Sequence, residues 1–276
     1  MNSTAPIYDS SVGRRPILTE IENLRRHWGL IRLLVVRDLT VRYKRSTLGV
    51  WWTVLNPLLT SLALWIIFGQ VFRFEIPGVP YGVYLLSGIL FMTFVSQGVV
   101  TAGAAIVNGA SILTKVRVPP EIFSFSASVA AGANFLLSLI PLLIVQVLTD
   151  VGIPWTMVLV PIPFVATVGL IVGIGLLVAS AAVYFYDVLD LTGVLLQLVS
   201  YMTPTFYPLS IVPPHFLGVV YANPLYSYLA VFRGFAYEGV FAPAWTFVVM
   251  GATSVGLLTL GIWVFSRSWR NLVVRI

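Results

Sequence analysis

The stretch "RDLTVRYKRSTLGVWW", residues 37–52, sets five charged side chains (Arg37, Asp38, Arg42, Lys44, Arg45) within nine positions, and no further charge follows until Arg73. Uncharged runs then recur over 46–72, 76–114, 122–149, 151–186, 191–232 and 239–266. Each exceeds the roughly 20 apolar residues that cross a hydrocarbon core of about 30 Å. A soluble core accounts for one such run, not six. The composition agrees: 58% hydrophobic and 9% charged residues, with a mean hydropathy of +0.95, against about a quarter charged in soluble domains. The expectation is an all-α membrane protein with six transmembrane helices.

The net charge of +6 is best read by its placement. With six spans and both termini in the cytoplasm, 14 of the 16 basic residues face inward, and only Arg73 and Arg233 lie outside. That is the positive-inside bias, so the charge records orientation in the cytoplasmic membrane and argues against a nucleic-acid partner. The chain has no cysteine, which excludes disulfides, thiolate catalysis and cysteine metal sites. Its first 45 residues lack the form of a signal peptide, so the first span is expected to double as the insertion signal. We read one domain over 1–276, with 1–45 as cytoplasmic tail and interface helix and 46–276 as the bundle.

Before the seam, "PILTEIENLRRHWGLIRLLVV" reads as a helix lying on the membrane surface. Thr19 and Glu22 have capping-box spacing. Ile17, Ile21, Leu24, Trp28, Ile31 and Val35 form one apolar stripe, while Glu20, Glu22, Arg25, Arg26 and Arg32 take other faces, a pattern suited to the headgroup boundary. A soluble helix packed on another domain would share it. After the seam, spans are expected at about 48–72, 81–107, 120–148, 155–185, from 191, and 243–266. Five prolines (Pro204, Pro208, Pro213, Pro214, Pro224) interrupt 201–239, too many for one unbroken helix. Broken backbone at membrane depth is tolerated where protein buries it or a watery cavity borders it. The segment therefore reads as a re-entrant pair of short helices entering from the outer face.

Several chemistries are missing. No G-x-x-x-x-G-K-[ST] loop is present, so this chain cannot cradle ATP phosphates by that device. Its two histidines, His27 and His215, fall on opposite expected sides, so no metal pair forms. Asp187 and Asp190 share a helix face by their spacing but have no basic or metal-binding neighbour in sequence, and a loop or partner contact fits them better than catalysis. Ion-coupled transporters usually bury a titratable group in their spans. Here the mid-span polarity is neutral: Asn56, Gln97, Asn134 and Gln197. Aromatic residues remain. Trp65, Phe68 and Phe72 share one face, Tyr84 and Phe91 lie two turns apart, and Tyr201 follows Gln197 by one turn. With Gln197 they could border a sugar pathway, rings stacking on sugar faces and polar tips exchanging hydrogen bonds. Membrane-interface belts and helix packing would use the same residues.

Taken together, "RDLTVRYKRSTLGVWWTVLNPLL" resembles the opening of the membrane subunits of ABC-2 type exporters, through Arg37-Asp38, Arg42-Tyr43-Lys44, Leu48-Gly49, Trp52 and Pro57. More narrowly, it resembles the polysaccharide-export branch, whose members move O-antigen, capsule, teichoic acid or cell-wall galactan. "LTKVRVPPEIF" (113–123) and "NPLYSYLAVFRG" (223–234) resemble the family's loop after span two and its outer gating segment. The resemblance implies a homodimer bound to two copies of a separate ATPase subunit, which would bind ATP and Mg, this chain itself holding no cofactor. The cargo would be a lipid-linked glycan. Glu20, Glu22, Arg25, Arg26, Arg37, Asp38, Arg42, Lys115, Arg117, Asp187 and Asp190 would face the ATPase. Pro204, Pro208, Pro213, Pro214, Pro224 and Tyr228 would form the outer gate. A drug or lipid exporter of the same superfamily is the first alternative. A membrane-embedded glycan-processing enzyme is the second, and it would need an acid, base or arginine cluster near one membrane face.

Asp38 stands among basic neighbours at the seam. Those basic residues, beside the inner headgroups, anchor the first span, each contributing about 1 kcal/mol near an anionic surface. Asp38 is expected to fix Arg42 one turn on and so stiffen the join between interface helix and span one.

Overall fold

Five helices long and apolar enough to cross a membrane organise the chain in a computed structural model, which describes residues 25–44, 46–74, 76, 78–113, 115 and 118–272. Among the described residues the structure is helical, apart from one isolated β-bridge between Ile76 and Val79. Helix α1 is Trp28–Tyr43, and α2 is Trp51–Leu64, continuing as a π-helix over Trp65–Val71. Next come α3 (Tyr81–Asn108), the single turn α4 (Ala110–Leu113) and α5 (Glu121–Leu148). A 3-10 turn (Trp155–Leu159) leads into α6 (Pro161–Ala182), followed by α7 (Asp187–Met202). The chain then breaks into α8 (Pro214–Ala222), α9 (Pro224–Arg233) with a π-turn (Gly234–Glu238), and the long α10 (Ala244–Leu272). The chain is a multi-pass membrane protein.

The five candidate spans are α2 with its π-helix, α3, α5, the 155–182 stretch and α10 to Ser268. The expected span from 191, fifth in chain order, coincides with α7, which has 16 residues and at 1.5 Å per residue runs about 24 Å. The proline positions set its neighbours. Pro213 and Pro224 flank the starts of α8 and α9, with Pro214 and Pro224 in the first turns, where a missing N–H costs nothing. Asn223 closes the joint: its side chain accepts from the Leu225 N–H at 3.0 Å and donates to the Thr203 hydroxyl at 2.7 Å. The 204–238 segment is thus a broken helical pair, as five prolines require.

Helix α3 is the centre of the bundle, with 78% of its apolar window buried against 6% for α2. Phe91, Phe94, Phe135, Phe164 and Phe232 stack between α3, α5, α6 and α9 at centroid separations of 4.6–6.5 Å. Helices α6 and α10 cross with their backbones nearly touching. A Cβ at Gly173 would lie 2.5 Å from the Leu257 carbonyl carbon, so only glycine fits there.

Helix α1 docks through Ile31 and Leu34 on one end of the bundle, in a cluster with Ile106, Ile122, Phe123 and Phe265. Of the expected stripe, Trp28, Ile31 and Val35 fall within the described residues. Ile31 points inward, but Leu34 rather than Trp28 completes the contact, and Trp28 is 60% exposed. Thr19, Glu20 and Glu22 lie outside the described residues.

Candidate functional site: an arginine clamp and a polar groove

The first cluster centres on Arg233, a buried cation at the end of α9. Its Nη1 donates to the Pro204 carbonyl at 2.8 Å, and Nη2 donates to the carbonyls of Tyr84 (3.1 Å) and Thr205 (3.3 Å). Nε donates to the Ser87 hydroxyl at 3.3 Å, and the guanidinium lies 3.6 Å from the centre of the Tyr84 ring. A guanidinium suits this place because its planar fork reaches several acceptors at once. Two tyrosines of α3 grip the same strand of chain. The Tyr84 hydroxyl lies 2.7 Å from both the Pro204 and Tyr207 carbonyl oxygens, and the Tyr81 hydroxyl donates to the Phe206 carbonyl. Residues 204–207 carry no regular hydrogen bonding of their own, so their carbonyls need such partners. Gly88 makes room, since a Cβ there would stand 2.8 Å from Arg233 Nη2 and 2.8 Å from the Thr205 carbonyl oxygen. The π-turn after Arg233 is held in turn by Gln146 and Thr156, which donate to the carbonyls of Ala236 (3.3 Å) and Phe235 (3.0 Å).

The second feature is a groove of about 1040 Å³ walled by α1, α2, α3 and α5. The only exposed residues of the otherwise buried α3 are Thr93, Gln97, Thr101 and Asn108, all polar and all on this groove. Asn56 from α2 and Asn134 from α5 face it, Trp52 forms part of the wall, and Arg37 and Asp38 mark the end nearest α1. Those two are ion-paired at 2.8 Å.

The structure distributes the expected site residues as follows. Asn56, Gln97 and Asn134, noted singly as neutral polar groups, come together on the groove with Arg37 and Asp38. None of the seven residues expected to border a pathway lines it. Tyr84 and Phe91 are 7% and 1% exposed. Arg233 covers one face of Tyr84, while Phe135 and Phe232 pack against Phe91. Trp65, Phe68 and Phe72 stay on the π-helical end of the first span, where Phe68 and Phe72 stack at 5.6 Å. Gln197 donates to the Tyr201 hydroxyl at 3.0 Å on the exposed face of α7.

Asp38 pairs with Arg37 at 2.8 Å, and the expected contact with Arg42 falls on a side chain outside the described residues. Arg25, Arg26 and Lys115 are exposed, and Glu20, Glu22 and Arg117 are not described. Asp187 and Asp190 occupy the first turn of α7, where the helix dipole favours carboxylates. In the outer set, the Pro204 carbonyl is the acceptor of the clamp. Pro208 precedes a 3-10 turn, and Tyr228 is fully buried, donating to the Met250 carbonyl at 2.9 Å. Sequence reasoning missed Tyr81, Ser87, Gly88 and Arg233 as one unit. The available signal was Arg233, a lone charge ending a 42-residue uncharged run, 191–232.

Comparison with known proteins gives this arrangement its class. The ABC-2 type transporter family matches residues 29–237, from the first turns of α1 to the π-turn beyond the clamp. The chain belongs to that family. It is 30% identical over 240 residues to the O-antigen export system permease protein RfbA of Myxococcus xanthus, covering 86% of this chain and 92% of that one. It is 26% identical over 248 residues to the protein of the same name from Klebsiella pneumoniae, covering 89% and 94%. It is also 23% identical over 216 residues to the polysialic acid transport protein KpsM of Escherichia coli, covering 76% and 84%.

Proposed function

We propose that this chain is the membrane-spanning permease subunit of an ATP-driven exporter that carries a lipid-linked polysaccharide across the cytoplasmic membrane. The observation that carries this reading is its near full-length likeness to permeases named for O-antigen export and polysialic acid transport. The sequence has no P-loop of its own, so a separate ATPase subunit would bind ATP and Mg and supply the work. The working unit would be two copies of the chain with two copies of that ATPase. Both termini would lie in the cytoplasm, with α7 and the 204–238 segment completing the six-span bundle as a short fifth span and a re-entrant outer gate.

The packing is compatible with such a division of labour. Helix α1, the end of α3, the start of α5 and the end of α10 gather at one end through the Ile31 cluster, which offers the ATPase a rigid face. The Arg233 clamp fastens the other region to α3. The test is depletion of this protein together with its ATPase, followed by analysis of lipid-linked polymers inside the cell. A polymer that accumulates on the inner side identifies the cargo. If none accumulates, the polysaccharide assignment fails and a drug or lipid cargo takes its place.

A further inference from the structure

We propose that a second cavity, where the turns before α3, after α5 and after α9 meet, is a weak binding site for a divalent cation, calcium above all, held by Asp150 and Glu238. The cavity measures about 570 Å³ and is lined by residues 76 and 78–80, 149–151 and 237–238. Along α3 it lies about 38 Å from Ile106 and the end where α1 docks. Its two carboxylates, Asp150 and Glu238, are both exposed. Neither has a basic side chain within ion-pair distance among the described residues. Arg233 acts on Glu238 from farther off, but its donors are engaged by the clamp. Two carboxylates on one cavity repel each other unless a positive charge stands between them.

An acidic pair alone is an ordinary wet surface, and the inner edge of this cavity sets it apart. Tyr237, which lines the cavity, is 4% exposed. Its hydroxyl stands near Ser87 and the Glu238 carboxyl yet completes a hydrogen bond with neither. At the same joint the Gln146 amide donates to the Ala236 carbonyl, while the Gln146 side-chain oxygen is buried without a partner. A buried donor and a buried acceptor left open together mark a place for an ion or its water shell. The lining offers oxygen ligands, which suit a hard cation. The Thr149 hydroxyl already donates to the Val145 carbonyl, so its oxygen keeps lone pairs for a cation. Among the described residues no third acid or histidine joins the pair, so neutral oxygens and water complete the shell. Calcium tolerates such an irregular set, whereas magnesium demands a near-ideal octahedron. A bound ion would tie the turn after α5 to the π-turn that begins at the clamp. The inference rests on the proposed orientation only for the source of the ion, the space outside the cytoplasm.

The test uses the full-length chain in an uncharged detergent, with terbium as the probe. Terbium takes calcium's place among oxygen ligands and luminesces when a nearby aromatic ring is excited. Calcium should displace it with a half-effect at about 10⁻⁴–10⁻³ M, the range of weak sites with few charges. Magnesium should need several-fold more, and sodium at matched ionic strength should not compete. The double variant Asp150→Asn/Glu238→Gln should lower the luminescence roughly ten-fold, because affinity follows the number of charged ligands. Both changes are nearly isosteric and exposed, so the unfolding midpoint without calcium should match that of the parent chain, which separates lost charge from lost folding. Asp187→Asn/Asp190→Asn, at the first turn of α7, should leave the signal in place. Luminescence that survives the cavity variant, or that disappears with the α7 variant instead, would overturn the proposal. Displacement by ethanolamine as readily as by calcium would also overturn it and assign the cavity to an ammonium headgroup. None of these readouts depends on polymer export, so the exporter reading stands or falls separately by depletion.

Discussion

A guanidinium removed from water keeps its charge only if its donors are engaged, and Arg233 engages four oxygens and a ring. Arg233→Gln should destabilise the protein by about 3 kcal/mol, because carbonyls at 84, 204 and 205 lose a charged donor in a buried place. A lower midpoint of thermal unfolding in detergent would register it. Arg233→Lys should recover only part, since an ammonium cannot span the fork. Gly88→Ala tests the same joint from the other side: the added methyl overlaps both Arg233 and Thr205, and overpacking of this kind costs about 1–3 kcal/mol. An unchanged unfolding midpoint for the alanine variant would mean that residues 204–207 yield easily. The joint was only half legible in the sequence. A solitary arginine after a long uncharged run is conspicuous, but its acceptors are main-chain carbonyls at 84 and 204–205, which no side-chain pattern announces.

At the scale of elements, periodicity located most helices within a few residues, because long apolar runs between charges leave few alternatives. What it could not give was orientation about each helix axis. The polar face of α3 emerges only when the remaining faces are seen to be buried, and the stacked phenylalanines look in sequence like any pore-lining ring. The α6–α10 crossing was equally silent, since glycines abound in membrane helices. It makes a sharp prediction: Gly173→Val should force the helices apart and cost about 1–3 kcal/mol, visible as faster proteolysis or a lower melting point. Gly193 on α7, where a Cβ would meet no atom within 4 Å, serves as the control and should tolerate alanine.

For the molecule as a whole, the five candidate spans contain no Asp, Glu, Lys or Arg between their terminal turns other than at the ends of α5 and α10. Among the described residues, these spans offer no mid-membrane carboxylate or amine to couple to a proton or sodium gradient. Collapsing the proton gradient while holding ATP constant should therefore leave export unchanged in vesicles bearing the full complex. The chain reconstituted alone should neither hydrolyse ATP nor move polymer. Directional movement by the lone polypeptide would remove the need for a partner motor.

The brevity of α7 reaches beyond the protein to its surroundings. At about 24 Å for its 16 residues, it falls short of a hydrocarbon slab of about 30 Å. Either the acyl layer pinches beside it or water descends to meet its end. Thickening the surrounding lipid raises the cost of both, by a fraction of a kcal/mol for each ångström of mismatch. Turnover in vesicles should accordingly decline as phosphatidylcholine tails are lengthened, and the host membrane's depth becomes part of the machine.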